Sequence, residues 1–392
     1  MKSNYEPLGK HIRLVDYRNS EEVTSTVLGI SIDKEFMPSV ANVIGTDLSR
    51  YKLISKGLFA CNPMHVGRDE RLPIALYEKA NPAIVSPAYF MFEIIDHAIL
   101  NEEYLMMWFR RPEFDRECWF MTDGSVRGGI TWDDLCRIKL PVPSYMRQCE
   151  IVESYRTITN RIALKRAEND NLQQQAAAIF RSWFVDYVPF GGTVPDEWKN
   201  VTLEDITTLV SRGITPKYAD DTGQIVINQK CIRNHMIDLS FARSHRPKVI
   251  NNKWLQFGDL LINSTGDGTL GRAAQVWFQP HNLTVDSHVT IVRPAAENMI
   301  FYIGLWGTQH EKEIESLHTG STGQTELPRD RVKAIELLLP DKETLERFNA
   351  LIAPMAAAIV SNQEENNRLA SIRDALLPKL MSGKIDVSAI QL

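Results

Sequence analysis

Apolar residues line up as a coiled-coil seam in two long stretches of the chain. In the first, positions 151, 155, 158, 162, 165, 169, 172, 176, 179 and 183 alternate steps of four and three, and read Ile, Tyr, Ile, Ile, Lys, Asn, Leu, Ala, Ile, Trp. That spacing marks one helix face turned toward a partner helix. Phe348, Ile352, Met355, Ile359, Asn362, Asn366, Leu369, Arg373, Leu376 and Leu380 repeat the same steps later in the chain. Ser144 and Asp341 each follow a proline and are good N-cap types, so both helices are expected to start there, and Gly383 suits a stop for the second. Pro354 and Pro378 predict bends in the second helix, because a helix-interior proline costs about 3 kcal/mol.

From residue 151 to 183 a straight helix runs roughly 50 Å, longer than a core helix needs, and a long seam in each half most simply pairs with the other. Both seams turn polar at the same two steps, Lys165 and Asn169 in one and Asn362 and Asn366 in the other. If the pairing is antiparallel, Lys165 faces Asn366 and Asn169 faces Asn362, at mid-coil, where buried amides fix register. The alternative is that these four residues are simply solvated.

The two seams belong to a duplication. Ile138-Lys-Leu-Pro-Val-Pro143 matches Ile335-Glu-Leu-Leu-Leu-Pro340, an offset of 335 − 138 = 197. The same offset carries Glu168-Asn-Asp-Asn-Leu172 onto Glu365-Asn-Asn-Arg-Leu369 and Ala178-Ile179 onto Ala375-Leu376. Upstream, Leu8 to Ile12 resembles Leu203 to Ile206, and Gly124-Ser125 followed by Asp134 resembles Gly320-Ser321 followed by Asp330. Each half is therefore a variable globular region followed by a long helix: residues 1–143 and 144–187, then 188–340 and 341–384, with 385–392 as a tail. Gly191-Gly192 before Pro195-Asp-Glu-Trp198 is the clearest linker.

Within the globular regions, Val85 to Phe92 and Asp286 to Val292 are strand candidates, and Glu102 to Phe109 and Ile300 to Trp306 read as helices. The 392 residues carry 44 Lys and Arg against 49 Asp and Glu, a net charge of -5, so any nucleic-acid contact must come from local basic surfaces. Between positions 230 and 253, Lys230, Arg233, Arg243, Arg246, Lys248 and Lys253, with His235 and His245, meet the single acid Asp238. Such a concentration can face phosphates or be a solvated loop. The first half has a weaker cluster, Arg50, Lys52, Lys56, Arg68 and Arg71 among Asp47, Asp69 and Glu70. His65 and Arg68 lie in the turn-rich run Asn62 to Arg68, which can present side chains to base edges or serve as an ordinary connection.

Catalytic and cofactor motifs fail. Gly266-Asp-Gly-Thr-Leu-Gly271 fits a dinucleotide pattern, but the following residues, Arg272 to Phe278, look like a strand rather than the helix a pyrophosphate needs. Gly320 to Glu326 lacks the lysine of a phosphate loop, and Asn62-Pro63-Met64-His65 lacks the second proline and the aromatic of an adenine methyltransferase motif. The five cysteines are scattered with no C-x-x-C pair, so neither zinc nor redox chemistry is indicated and no metal site is expected. No apolar run is long enough for a membrane helix and no signal-peptide core is present, so a cytoplasmic protein without membrane contact is expected.

Taken in order, several features resemble one family. Pro195 to Trp198 leading into Leu203, the Gly258-Asp-Leu-Leu-Ile262 strand with its Gly-rich sequel, the Gly320-Ser-Thr322 turn, an apolar strand ending in proline, and a helix ending Leu376-Leu-Pro-Lys-Leu380 are similar to the specificity subunits of type I restriction-modification systems. The resemblance covers both halves, Phe36 to Asp69 and Pro82 to Glu93 included. It implies an α+β fold: two mixed α/β target-recognition domains, separated by two long helices forming an antiparallel coiled coil, with an internal pseudo-two-fold repeat. It further implies a non-catalytic chain that binds double-stranded DNA at a two-part site. Two modification (adenine methyltransferase) subunits and restriction (helicase-nuclease) subunits would dock on it. S-adenosylmethionine, ATP and Mg would sit on those partners and no cofactor on this chain. The candidate DNA contacts are Arg50, Lys52, His65, Arg68, Lys230, Arg233, His235, Arg243, His245, Arg246, Lys248 and Arg272. The rival readings are an adenine methyltransferase or fused restriction enzyme, and a coiled-coil adaptor without DNA binding.

Overall fold

The computed structural model describes residues 5–39, 45–64, 66–122, 128–220, 222–246, 250–266, 268–320 and 325–381. His65, Lys248, Gly124-Ser125, Gly383 and the 385–392 tail lie outside them. Two helices dominate, Tyr145–Phe184 and Lys342–Met381, each of 40 residues. Their starts and their ends are separated by 342 − 145 = 197 and 381 − 184 = 197, the offset of the sequence repeat. Each begins one residue after its N-cap. Ser144 Oγ accepts from the Arg147 amide at 3.4 Å, and Asp341 Oδ1 from the Thr344 amide at 3.0 Å. The second helix continues through Pro354 and Pro378.

Two compact units form: residues 1–162 with 367–392, and residues 163–366. Each therefore contains one globular region and a part of both long helices.

In the first unit, Tyr5–Pro7 pairs antiparallel with Lys139–Pro141, so the region opens and closes on neighbouring strands. A four-stranded antiparallel sheet runs in the order Ile12–Leu14, Phe90–Ile94, Phe59–Cys61, Ile74–Leu76. A second sheet runs Phe36–Pro38, Val27–Ile30, Ala83–Val85, Lys52–Ile54, its middle pair parallel. Helix Glu102–Phe109, capped by the Asn101 carboxamide, buries Tyr104 to Phe109 against Phe59 and Phe92. Ile151, Val152 and Tyr155 of the first long helix join the same core as Leu377, Leu380 and Met381 of the second.

The second unit repeats the plan. Lys199–Thr202 pairs with Glu336–Leu339, and the four-stranded sheet runs Thr207–Arg212, Val289–Pro294, Leu260–Asn263, Ala273–Gln275. Its mixed sheet keeps the parallel pair, Ile225–Ile227 with Leu283–Val285, and has Arg243–Ser244 at one edge. The Leu8 amide donates to the Ile138 carbonyl and the Leu203 amide to the Ile335 carbonyl, both at 2.8 Å, at matching places in the repeat. Here Ala176, Phe180 and Phe184 share a core with Leu345, Phe348, Ile352 and Ala356, the Phe184 and Phe348 rings 4.8 Å apart. Late residues of one helix meet early residues of the other, which is antiparallel packing.

Two strand expectations need correction. Val85 to Phe92 is not one strand: Pro87 has no amide to pair, and Ser86 accepts from the Ala88 and Tyr89 amides, so a turn separates Ala83–Val85 from Phe90–Ile94. Asp286 to Val292 breaks similarly. The Asp286 carboxylate accepts from the His288 amide at 2.9 Å, and the strand starts only at Val289.

Candidate nucleic-acid interface

The basic stretch of the second unit folds as a flank of the mixed sheet. Short 3-10 turns Gln229–Cys231 and Leu239–Phe241 are tied together where Asn228 Nδ2 donates to the Phe241 carbonyl at 2.7 Å. Strand Arg243–Ser244 is fastened beside residues 217–219 by the Arg246 amide to the Lys217 carbonyl, 2.8 Å, and the Ala219 amide to the Ser244 carbonyl, 3.2 Å. On this flank the Arg243 guanidinium lies 3.6 Å from the Tyr218 ring centroid, and that of Arg233 lies 4.6 Å from Phe241. Both rings are about two-fifths exposed, Tyr218 at 40% and Phe241 at 39%. Arg233 Nε also donates to the Lys230 carbonyl at 3.0 Å. A guanidinium held by its face keeps in-plane N–H donors at its edge, the geometry that phosphate oxygens and base edges accept. Lys230 and Arg246 are exposed on the same flank.

Two other candidates of this stretch, and Arg272 beyond it, are held differently. His245 is 1% exposed, because its strand neighbours turn it into the fold and away from solvent. His235 sits on the turn of the hairpin that carries Arg233, with Nε2 3.6 Å from Glu311. Arg272 is half-buried and donates to the Gly268 carbonyl at 2.7 Å, closing the Gly-rich turn that joins strands Leu260–Asn263 and Ala273–Gln275. No helix follows Gly271.

In the first unit, Lys52 is withdrawn from the surface. Its strand alternates Lys52 and Ile54 inward, and Nζ donates to the Tyr89 carbonyl at 2.6 Å, with Asp16 3.7 Å away. Burial lowers its pKa, which Asp16 only partly offsets. Arg50 is exposed, its carbonyl taking Arg18 Nη1 at 2.7 Å. Arg68 is locked to Asp69 by two bonds of 2.7 and 2.9 Å.

Of the four polar seam residues, the structure brings Asn169 and Asn362 together. Asn362 Nδ2 donates to Asn169 Oδ1 at 2.9 Å, and Asn169 Nδ2 donates to the Ile359 carbonyl at 3.2 Å. Both residues are buried. Lys165 instead ion-pairs with Glu168 at 3.0 Å and reaches Glu365 at 4.0 Å, while Asn366 Oδ1 is buried without a hydrogen-bond partner among the described residues.

Sequence reasoning missed Tyr218, Phe241 and Arg18. Aromatics close to arginines in a polar stretch were the available signal, but which face each occupied depended on the sheet. It also missed the buried Lys34 and Asp115 pair, 2.7 Å, whose partners lie 81 positions apart. Among the described residues no cluster of three or more His, Cys, Asp or Glu could hold a metal, and no helix is long and apolar enough to cross a membrane.

No family model matches the chain. Its fold matches the crystal structure of the type I restriction-modification system S subunit from M. genitalium, at a TM-score of 0.59 and 13% identity, over 97% of this chain and 96% of that one. In sequence it is 24% identical over 313 residues to the type I restriction enzyme MjaIX specificity subunit of Methanocaldococcus jannaschii, covering 74% of this chain and 70% of the relative. It is also 22% identical over 333 residues to the HindI specificity subunit of Haemophilus influenzae, covering 65% of this chain and 71% of the relative. The relatives it resembles in sequence and the solved structure it matches in fold are all specificity (S) subunits of type I restriction-modification systems.

Proposed function

We propose that this chain reads a two-part DNA site for a type I restriction-modification assembly, one recognition region per half-site, with the paired long helices as the spacer. The observation that carries this reading is the repeated plan, two regions of like topology whose long helices start and end at one constant offset. Related regions in one chain suit a site with two separate parts, as paired half-sites do in dimeric DNA readers. Lys230, Arg233, Arg243 and Arg246 are the proposed phosphate-facing group of the second region, and Arg50 that of the first, where Arg68 is held by Asp69. Chemistry is assigned to partners: two modification subunits carrying S-adenosylmethionine, and restriction subunits using ATP and Mg.

Selection of a randomised duplex library with the full-length chain tests the reading. Two enriched half-sites at a fixed separation are expected; one continuous site, or no enrichment, overturns it. Incubated with DNA and S-adenosylmethionine, the chain alone is expected to transfer no methyl group, and detectable transfer overturns the non-catalytic role.

A further inference from the structure

The strands Ile232–Arg233 and Met236–Ile237 form a hairpin that faces two ways. Asn234 and His235 make its turn with φ of 49° and 60°, the left-handed pair a two-residue turn of type I′ requires. Ile232 and Ile237 are buried in the core with Leu255, Leu261 and Val276, so the hairpin is an integral part of its region. Outward, Arg233 stacks on Phe241 in the basic flank. On its other side, Gln363 of the second long helix donates Nε2 to the Ile237 carbonyl at 3.0 Å. His235 lines a cleft of about 270 Å³ with Asp170, Gln173, Gln174 and Ala177 of the first long helix. The second helix thus bonds to the hairpin that carries Arg233, and the first lines a cleft beside its turn.

We infer that this hairpin is a positioning element, that it sets the angle at which the second basic flank leaves the helices, and that Gln363 is its anchor. The inference rests on the proposed reading of a two-part site. Gln363 is not among the proposed DNA-facing residues. Its effect is on geometry, and so on the separation at which both half-sites are met together.

The test is library selection with the full-length chain and its Gln363→Ala and Gln363→Glu variants, the second setting a carboxylate against the Ile237 carbonyl. Both are expected to enrich the wild-type half-sites but to spread their separation over at least two lengths, Gln363→Glu more widely. Binding to duplexes holding either half-site alone should stay within about 3-fold of wild type. Unchanged separation in both variants, or a loss of single half-site binding equal to the loss on the full site, overturns the inference alone. A wild-type selection without a two-part site overturns the underlying reading, and this inference with it.

Discussion

The two globular regions share a frame and hold the arginines of their candidate surfaces differently. In the first, guanidiniums sit beside carboxylates: Arg68 with Asp69, Arg71 with Asp33, Arg18 with Asp16, Arg13 with Glu93. In the second, Arg233 and Arg243 lie on aromatic rings. A paired guanidinium presents little net charge, whereas a stacked one keeps its full charge and a fixed orientation. The interior diverges at a matched position too. Phe92 faces Phe59, and Val292 faces Leu260, in corresponding strand pairs, so Glu93 and Arg293 occupy like places. Glu93 pairs with a surface arginine, but Arg293 grips the fully buried Asp259 with two bonds of 2.8 Å. The duplication kept backbone pairing and left charge free to change sign.

The largest effect expected from breaking this comparison is on stability. Arg293→Ala strands the Asp259 carboxylate and should cost about 3–5 kcal/mol in denaturant unfolding, while Arg13→Ala, which removes an exposed partner, should cost about 1 kcal/mol or less. Equal costs would show that the two pairs are equivalent after all. Next, reversing both Arg233 and Arg243 to Glu should weaken DNA binding about 10- to 100-fold and flatten the log-log salt slope by about 2, as two phosphate contacts would. Arg18→Glu with Arg68→Glu should stay within about 3-fold. A like loss in both halves would erase the distinction. Tyr218→Ala leaves charge unchanged and should weaken binding only about 2- to 5-fold, as a lost exposed cation–π contact predicts.

The smallest effect concerns the helix caps. Burial works to raise the Asp341 pKa but is outweighed by bonds from the Thr344 side chain and amide and from Trp198, so it lies below the ordinary 3.8. Its stabilising contribution is therefore present above about pH 4 and is lost as pH falls through the lower folded value. Asp341→Asn should remove that acid-side loss in helicity measured against pH. Ser144→Ala, at the neutral cap of the first helix, should shift stability equally at all pH values.

Much of the frame was legible because it is local. The seams, the caps at Ser144 and Asp341 and the helix Glu102–Phe109 follow from spacings within a few turns. The antiparallel expectation also set Asn169 opposite Asn362, now hydrogen-bonded, although Lys165 turns to acids rather than to Asn366. Strand limits were harder to read, since Ser86 and Asp286 break apolar runs through side-chain bonds that periodicity does not register. The basic surface was read as composition, which counts charges without their direction. Lys52 and His245 look like their exposed neighbours in sequence, yet sheet alternation and packing turn them inward.

Each globular region begins and ends on strands paired with each other, Tyr5–Pro7 with Lys139–Pro141 and Lys199–Thr202 with Glu336–Leu339. Such a region leaves the helical frame and returns to it at one doorway. Everything between the two jambs can be exchanged as a cartridge, with the Leu8–Ile138 and Leu203–Ile335 bonds as matching latches. A foreign insert that keeps the latch strands needs to satisfy its own core and the helix residues that share it, such as Ile151 and Tyr155 in the first region or Phe180 and Phe348 in the second. New reading preferences can therefore be installed on one side without rebuilding the hinge post on the other.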